Sequence, residues 1–239
     1  MRNIWLLARR ELGAYVKSPM GYVIATIVLF VDGLLFNYYA LGGTPKLSSE
    51  VLQLFFAFAT FMTMVSGVLL SMRLLAEEKQ LGTLTLLLTS PIKDHEIILG
   101  KFVSALLFYA GMTALTIYMP LLIFVNGKVS VGQIFAGYFG LLMLGALSLS
   151  VGLFASAIAK TQIVAAVAGG AMMTALYLCY LGANVAEPPI RDLMSFLSPQ
   201  RHLQWQTGLL QSKDLFYYLS ATYAFLLLST HVLQARRWR

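Results

Sequence analysis

The sequence predicts an all-α integral membrane protein with six transmembrane helices, organised as one domain over residues 1–239. Three observations carry this. The chain is 59% hydrophobic and only 11% charged, whereas soluble domains carry roughly 25% charged residues; no soluble core absorbs that excess. The apolar residues come in long blocks, and about 20 apolar residues, rising about 1.5 Å each, cross the hydrocarbon of a bilayer. The alternating segments of barrel strands are absent, which leaves the helix as the structure that satisfies its own backbone in lipid.

In chain order, residues 1–18 read as an interfacial helix. Ile4, Trp5, Leu7, Ala8, Leu12, Tyr15 and Val16 supply apolar bulk, with arginines between them, the pattern of a helix lying in the membrane surface. The apolar run that follows is too long for a signal peptide and has no small-residue cleavage site, so it is read as a retained span. The six spans are placed at about 20–40, 52–72, 98–125, 132–159, 162–182 and 215–234. Ser18-Pro19, Ser90-Pro91 and Ser198-Pro199 mark helix starts, because serine caps free amides and proline suits the first helical position. Two segments remain between spans, 73–97 and 183–214; neither is large enough for an enzymatic domain.

The net charge of +7 sets orientation rather than suggesting nucleic acid. With the N-terminus in the cytoplasm, twelve Lys and Arg residues fall inside and five outside (Lys46, Lys128, Arg191, Arg201 and Lys213), the bias expected of cytoplasmic segments. Both termini are then cytoplasmic, in a multi-pass membrane protein. The single cysteine, Cys179, forms no intrachain disulfide, and His95, His202 and His231 lack metal-ligand spacing.

The segment 73–97 has charges at both ends and an apolar middle, Leu81 to Leu88, too short to span a membrane. An apolar helix outside the membrane needs a cover, either its own bundle or another subunit. The runs Glu77-Glu78-Lys79-Gln80-Leu81-Gly82-Thr83-Leu84, Leu87-Leu88-Thr89-Ser90-Pro91 and Ile98-Leu99-Gly100-Lys101-Phe102 resemble the signature between helices 2 and 3 of ABC-2 permeases, the membrane subunits of a class of ATP-binding-cassette exporters. The similarity is greatest to gliding-motility-associated and copper-enzyme maturation permeases. It extends to Arg10-Glu11-Leu12 through Ser18-Pro19, to Ser195-Phe196-Leu197-Ser198-Pro199 with His202, and to Gly208, Asp214 and Tyr217-Tyr218.

The resemblance implies an ABC-2, type V exporter-like fold. It implies a coupling helix seated in a separate ATPase subunit, formed by Glu77, Glu78, Lys79, Leu81, Gly82, Thr83, Leu84, Thr89, Ser90 and Pro91, with Gly82 permitting close approach and the charges at the rim. Two ATPase copies and a second permease copy, as a homodimer, complete the assembly. ATP and Mg are bound by the partner, and this chain holds no cofactor of its own. It contains no G-x-x-x-x-G-K-[ST]; Gly100-Lys101 and Gly127-Lys128 lack the flanking residues of that loop.

For the pathway, Asp32 lies mid-span, where a carboxylate costs roughly 2.5–3.5 kcal/mol on insertion scales; it should face the bundle interior or take up a proton. Thr60, Thr63 and Ser66 on one helix, and Thr174, Tyr177 and Tyr180 on another, are polar stripes that line a pathway or hydrogen-bond between helices. Gly145, Ser148, Gly152 and Ser156 read as a close-packing stripe.

Two alternatives stay open beside export. ATP-driven mechanical or assembly work in an envelope machine would use the same coupling helix, with an extracytoplasmic accessory protein. An intramembrane enzyme or a secondary transporter is more remote, because no catalytic motif, broken helix or inverted repeat is evident.

Overall fold

A computed structural model of the chain describes residues 2–40, 47–89, 92–126 and 129–237. Among these residues there are helices and no strands: α1 (Arg2–Lys17), α2 (Pro19–Ala40), α3 (Ser48–Ser71), α4 (Arg73–Gln80), α5 (Leu84–Leu88), α6 (Asp94–Ala114), α7 (Tyr118–Asn126), α8 (Val131–Ile158), α9 (Gln162–Ala183), α10 (Ile190–Leu197) and α11 (Ser212–Arg237). Short 3₁₀ turns occupy Leu115–Ile117, Pro199–His202 and Gln204–Thr207.

Among the described residues, six stretches are long and apolar enough to cross a bilayer: Pro19–Tyr38, Ser48–Gln80, Asp94–Val125, Val131–Ile158, Gln162–Ala183 and Ser212–Ala235. The second exceeds the sequence-based span. Its 33 residues extend about 50 Å at 1.5 Å per residue, against a hydrocarbon thickness of about 30 Å. The extension is α4, which carries the stretch beyond the length a crossing requires, with only Met72 interrupting the helix. The segment 73–97 is therefore a helix, a turn, a second short helix and the start of α6. Its apolar middle is helical only from Leu84; Leu81, Gly82 and Thr83 form the turn.

The bundle has a basal end, which holds α1, α4, α5 and the end of α11, and an apical end, which holds α10. The axis is α8, 72% buried within its most apolar window, whereas α9 is 17% buried and lies at the periphery. Close packing on α8 follows its small residues: a Cβ at Gly145 would overlap the Tyr109 ring, and one at Gly152 would overlap Ser71. The basal core joins Leu7 and Tyr15 of α1 to Leu74, Leu75, Ile98 and Phe102. The apical core joins Phe55 and Phe56 to Leu144, Trp205 and Tyr218. In α1, Leu7, Ala8 and Tyr15 are buried while Trp5, Leu6 and Val16 are exposed, so one face packs on α6 and the other is left uncovered.

Candidate coupling site and helix-lined groove

The charged residues of the 77–79 run are held inside the chain, not offered at a rim. Glu77 accepts from Arg73 Nε at 2.9 Å, one helical turn away. Arg73 also donates to Ser18 Oγ at 2.9 Å and lies 5.2 Å over the Tyr15 ring. Tyr15 in turn donates its hydroxyl to the Leu70 carbonyl at 2.6 Å; burial pushes this phenol well above its ordinary range. Glu78 receives Lys101 Nζ at 2.8 Å, and Glu11 stands 3.4 Å from the same nitrogen. Lys101 is 1% exposed, so two carboxylates on two other helices neutralise one buried ammonium. Burial pushes the Glu11 carboxyl up, and the Lys101 and Arg10 cations outweigh it, holding the group below the usual carboxylate range.

Lys79 takes a third direction. Its Nζ donates to the carbonyls of Ser156 at 2.8 Å, Ala157 at 2.5 Å and Ala159 at 2.9 Å. These are orphan acceptors at the end of α8, where a cation also meets the negative end of the helix dipole. Beside it, Ser156 Oγ accepts from the Leu75 and Ala76 amides at 3.0 and 2.8 Å and donates to the Met72 carbonyl at 2.9 Å. Amides released by the break at Met72 are thus satisfied from α8. The α3–α4 junction is fastened to α8 by one hydroxyl and one ammonium. Lys79→Met removes three charge-assisted bonds, each typically worth about 1.5–3 kcal/mol. It should lower thermal stability in detergent while leaving the membrane level of the protein unchanged; an unaltered melting curve would show that the clamp carries no load.

The turn after α4 is a Schellman motif. Thr83 N donates to Glu78 O at 2.9 Å and Gly82 N to Lys79 O at 3.2 Å, with Gly82 at φ 72°. Only glycine adopts that φ cheaply. The close approach expected of Gly82 has no counterpart within the chain, since a Cβ there would meet nothing within 4 Å. Beyond it, Leu84 and Leu87 are buried, whereas Leu81 is 68% and Leu86 72% exposed. Thr83, Thr85 and Thr89 are exposed beside them, their hydroxyls bonded to the Glu78, Gly82 and Thr85 carbonyls. Ser90 and Pro91 lie outside the described residues. Past them, Glu96 receives Asn3 Nδ2 at 3.3 Å and the Lys93 amide at 3.1 Å, tying α1 to the start of α6.

The pathway candidates divide into two groups. Thr60, Thr174 and Tyr177 line a groove of about 380 Å³ between α3 and α9, with Phe61, Met64 and Met173. Thr60 receives Gln206 Nε2 at 2.7 Å, so the apical loop reaches this groove. Tyr180 packs edge-on against Tyr177 with ring centroids 6.3 Å apart. Asp32, Thr63 and Ser66 are elsewhere, around an interior space of about 20 Å³ with Tyr109 and Thr116. Tyr109 donates to the Leu141 carbonyl at 3.2 Å, so Thr63 donates to the Tyr109 oxygen at 2.8 Å. Asp32 does face the bundle interior.

Sequence reasoning missed Lys101, Ser156, Arg73 and Glu11 as members of the site. A lysine among apolar residues at the start of a span was the available signal for the first. The apical constellation was noted only through resemblance: His202 Nδ1 meets Asp214 Oδ1 at 2.7 Å, its ring stacks on Tyr217 at 4.1 Å, and Tyr217 donates to the Leu197 carbonyl at 2.6 Å.

The family described as ABC-2 family transporter protein matches residues 5–234 of the chain. No curated protein matches it.

Proposed function

The chain belongs to the ABC-2 transporter family, and from that premise we propose that it is the permease subunit of an ATP-driven exporter, coupled to a separate ATPase through the turn and short helix at 81–89. A membrane subunit of this family works with an ABC ATPase, and the chain has no phosphate-binding loop of its own. The observation that carries the reading is the division of the basal loop. The charges of Arg73, Glu77, Glu78 and Lys79 are paired within the chain, while Leu81 and Leu86 are exposed beyond the end of α4. An ATPase seated there pushes on α4. Lys79 and Ser156 pass the displacement to the end of α8, and Lys101 passes it to α6. This is gating by rigid elements and needs no covalent chemistry in this chain.

The lysine and arginine bias supports a cytoplasmic basal end, and the family resemblance supports the cytoplasmic membrane of a bacterium or archaeon. The groove between α3 and α9, with the exposed Ile163, Val167 and Leu178 on α9, supports pairing of two copies about a two-fold axis, with the polar stripe Thr60, Thr174 and Tyr177 toward the pathway. Mechanical work on an envelope machine uses the same lever. The assembly is tested by native mass measurement after gentle extraction with the co-expressed ATPase. Two permease copies carrying two ATPase copies are expected; an active single copy without ATPase would overturn the assembly.

A further inference from the structure

At the apical end, a pocket of about 160 Å³ opens between α8, the 3₁₀ turn at Gln204–Thr207 and the first turn of α11. It is roughly ten times the volume that one water needs. Phe139, Met143, Trp205, Leu210 and Tyr218 supply an aromatic and apolar lining, and Asp214 supplies the carboxylate. Gly140 admits the indole, since a Cβ there would overlap the Trp205 ring.

The two oxygens of Asp214 have different fates. Oδ1 is held by His202 Nδ1 at 2.7 Å, and the other ring nitrogen of His202 lies 3.2 Å from the Phe196 carbonyl. The side chain of Asp214 is 7% exposed, and its Oδ2 is buried without a hydrogen-bond partner. The indole N–H of Trp205, in the same lining, has the Tyr218 hydroxyl oxygen as its neighbour, outside good hydrogen-bond geometry, while that hydroxyl donates to the His202 carbonyl at 3.3 Å. A buried carboxylate oxygen left unpaired is costly. A charged donor satisfies it best, and aromatic faces attract cations.

We propose that this pocket binds an ammonium group that bears N–H and a short alkyl tether, with the nitrogen donating to Asp214 Oδ2 and the tether against Phe139 and Met143. The site lies at the start of α11, a helix long and apolar enough to cross a bilayer, so the ammonium belongs either to an ethanolamine phospholipid headgroup or to a free amine of the same chemistry. A quaternary ammonium has no N–H to give and is discriminated against. This inference does not rest on ATPase coupling, because none of its residues belongs to the basal loop.

The test uses purified full-length protein and native mass spectrometry with phospholipids of identical acyl chains and ethanolamine, choline or glycerol headgroups. The ethanolamine lipid should be retained over the other two by roughly tenfold or more, the value of one charge-assisted hydrogen bond. Asp214→Asn should abolish the preference. Met143→Trp, which fills the pocket and leaves the His202–Asp214 pair in place, should abolish it too, so the proposal survives a folding defect in the first variant. Free ethanolamine is tested alone by thermal shift. A shift lost in Met143→Trp, with no lipid preference, assigns the site to a free amine. Equal retention of all three lipids with no ethanolamine shift would overturn the proposal and leave Asp214 Oδ2 to water.

Discussion

Reversing Glu78 to lysine will be among the most damaging single changes in the basal end, costing roughly 3–5 kcal/mol. The reason is Lys101, which is 1% exposed and 2.8 Å from the Glu78 carboxylate. A buried charge stripped of its partner pays its desolvation without return, and here a second ammonium would be placed beside it. Glu11, 3.4 Å away, keeps the loss toward the lower end of that range. Glu78→Gln should cost less, because its carbonyl oxygen still accepts from Lys101. The charge exchange Glu78→Lys with Lys101→Glu should recover only part, since Glu11 would then face another carboxylate. Thermal unfolding of the purified protein in detergent reads the series. Equal stability of wild type and Glu78→Lys would mean that the ion pair is not the anchor of α4 on α6.

That ranking inverts the one the bare sequence suggests, in which Glu77 and Glu78 stand at the edge of a docking surface and Gly82 is the sensitive position. The inversion shows where legibility ends. The six spans were readable because a run of about twenty apolar residues carries its own signal, whatever its neighbours. The family signature was readable because it is local. The partners of Glu78 were not, since Lys101 and Glu11 lie on other helices, far along the chain, and only packing brings them together. Arg73 and Glu77 were closer to hand, being four residues apart on one helix, the spacing at which side chains meet. Gly82 carries a second signal beside the close approach to a partner. A glycine closing a short charged helix is a helix terminator, and its φ of 72° identifies it as that. The polar stripes illustrate the same boundary. Thr60, Thr63 and Ser66 follow one another on α3, yet Thr60 borders the groove while Thr63 and Ser66 turn inward toward Asp32 and Tyr109. Periodicity shows that a stripe exists; what each residue touches depends on the neighbouring helix.

The second large effect concerns the surface left over once the charges are accounted for. Leu81 in the turn and Leu86 on the short helix are 68% and 72% exposed, whereas Leu84 and Leu87 are buried in the bundle. Covering a leucine is worth about 1.5–3 kcal/mol, and central interface residues commonly cost 2 kcal/mol or more when removed. Leu81→Asp with Leu86→Asp should therefore weaken ATPase binding by about a hundredfold or more. Both side chains are mostly exposed, Leu81 beside the space lined by Glu11, Glu78 and Lys101, so the folded permease should be preserved. Leu84→Asp would instead damage the fold, because that side chain lies in the basal core. The two classes of variant thus separate loss of docking from loss of structure.

The most direct measurement is the amount of ATPase that co-purifies with the tagged permease, read together with the ATP hydrolysis of the eluted complex, for wild type and for the Leu81→Asp, Leu86→Asp double variant. The account predicts that the variant is recovered from the membrane at wild-type yield with its ATPase largely lost and permease-dependent hydrolysis abolished. Full ATPase retention and full hydrolysis by a stably folded double variant would contradict it, and would place the coupling surface outside residues 81–89.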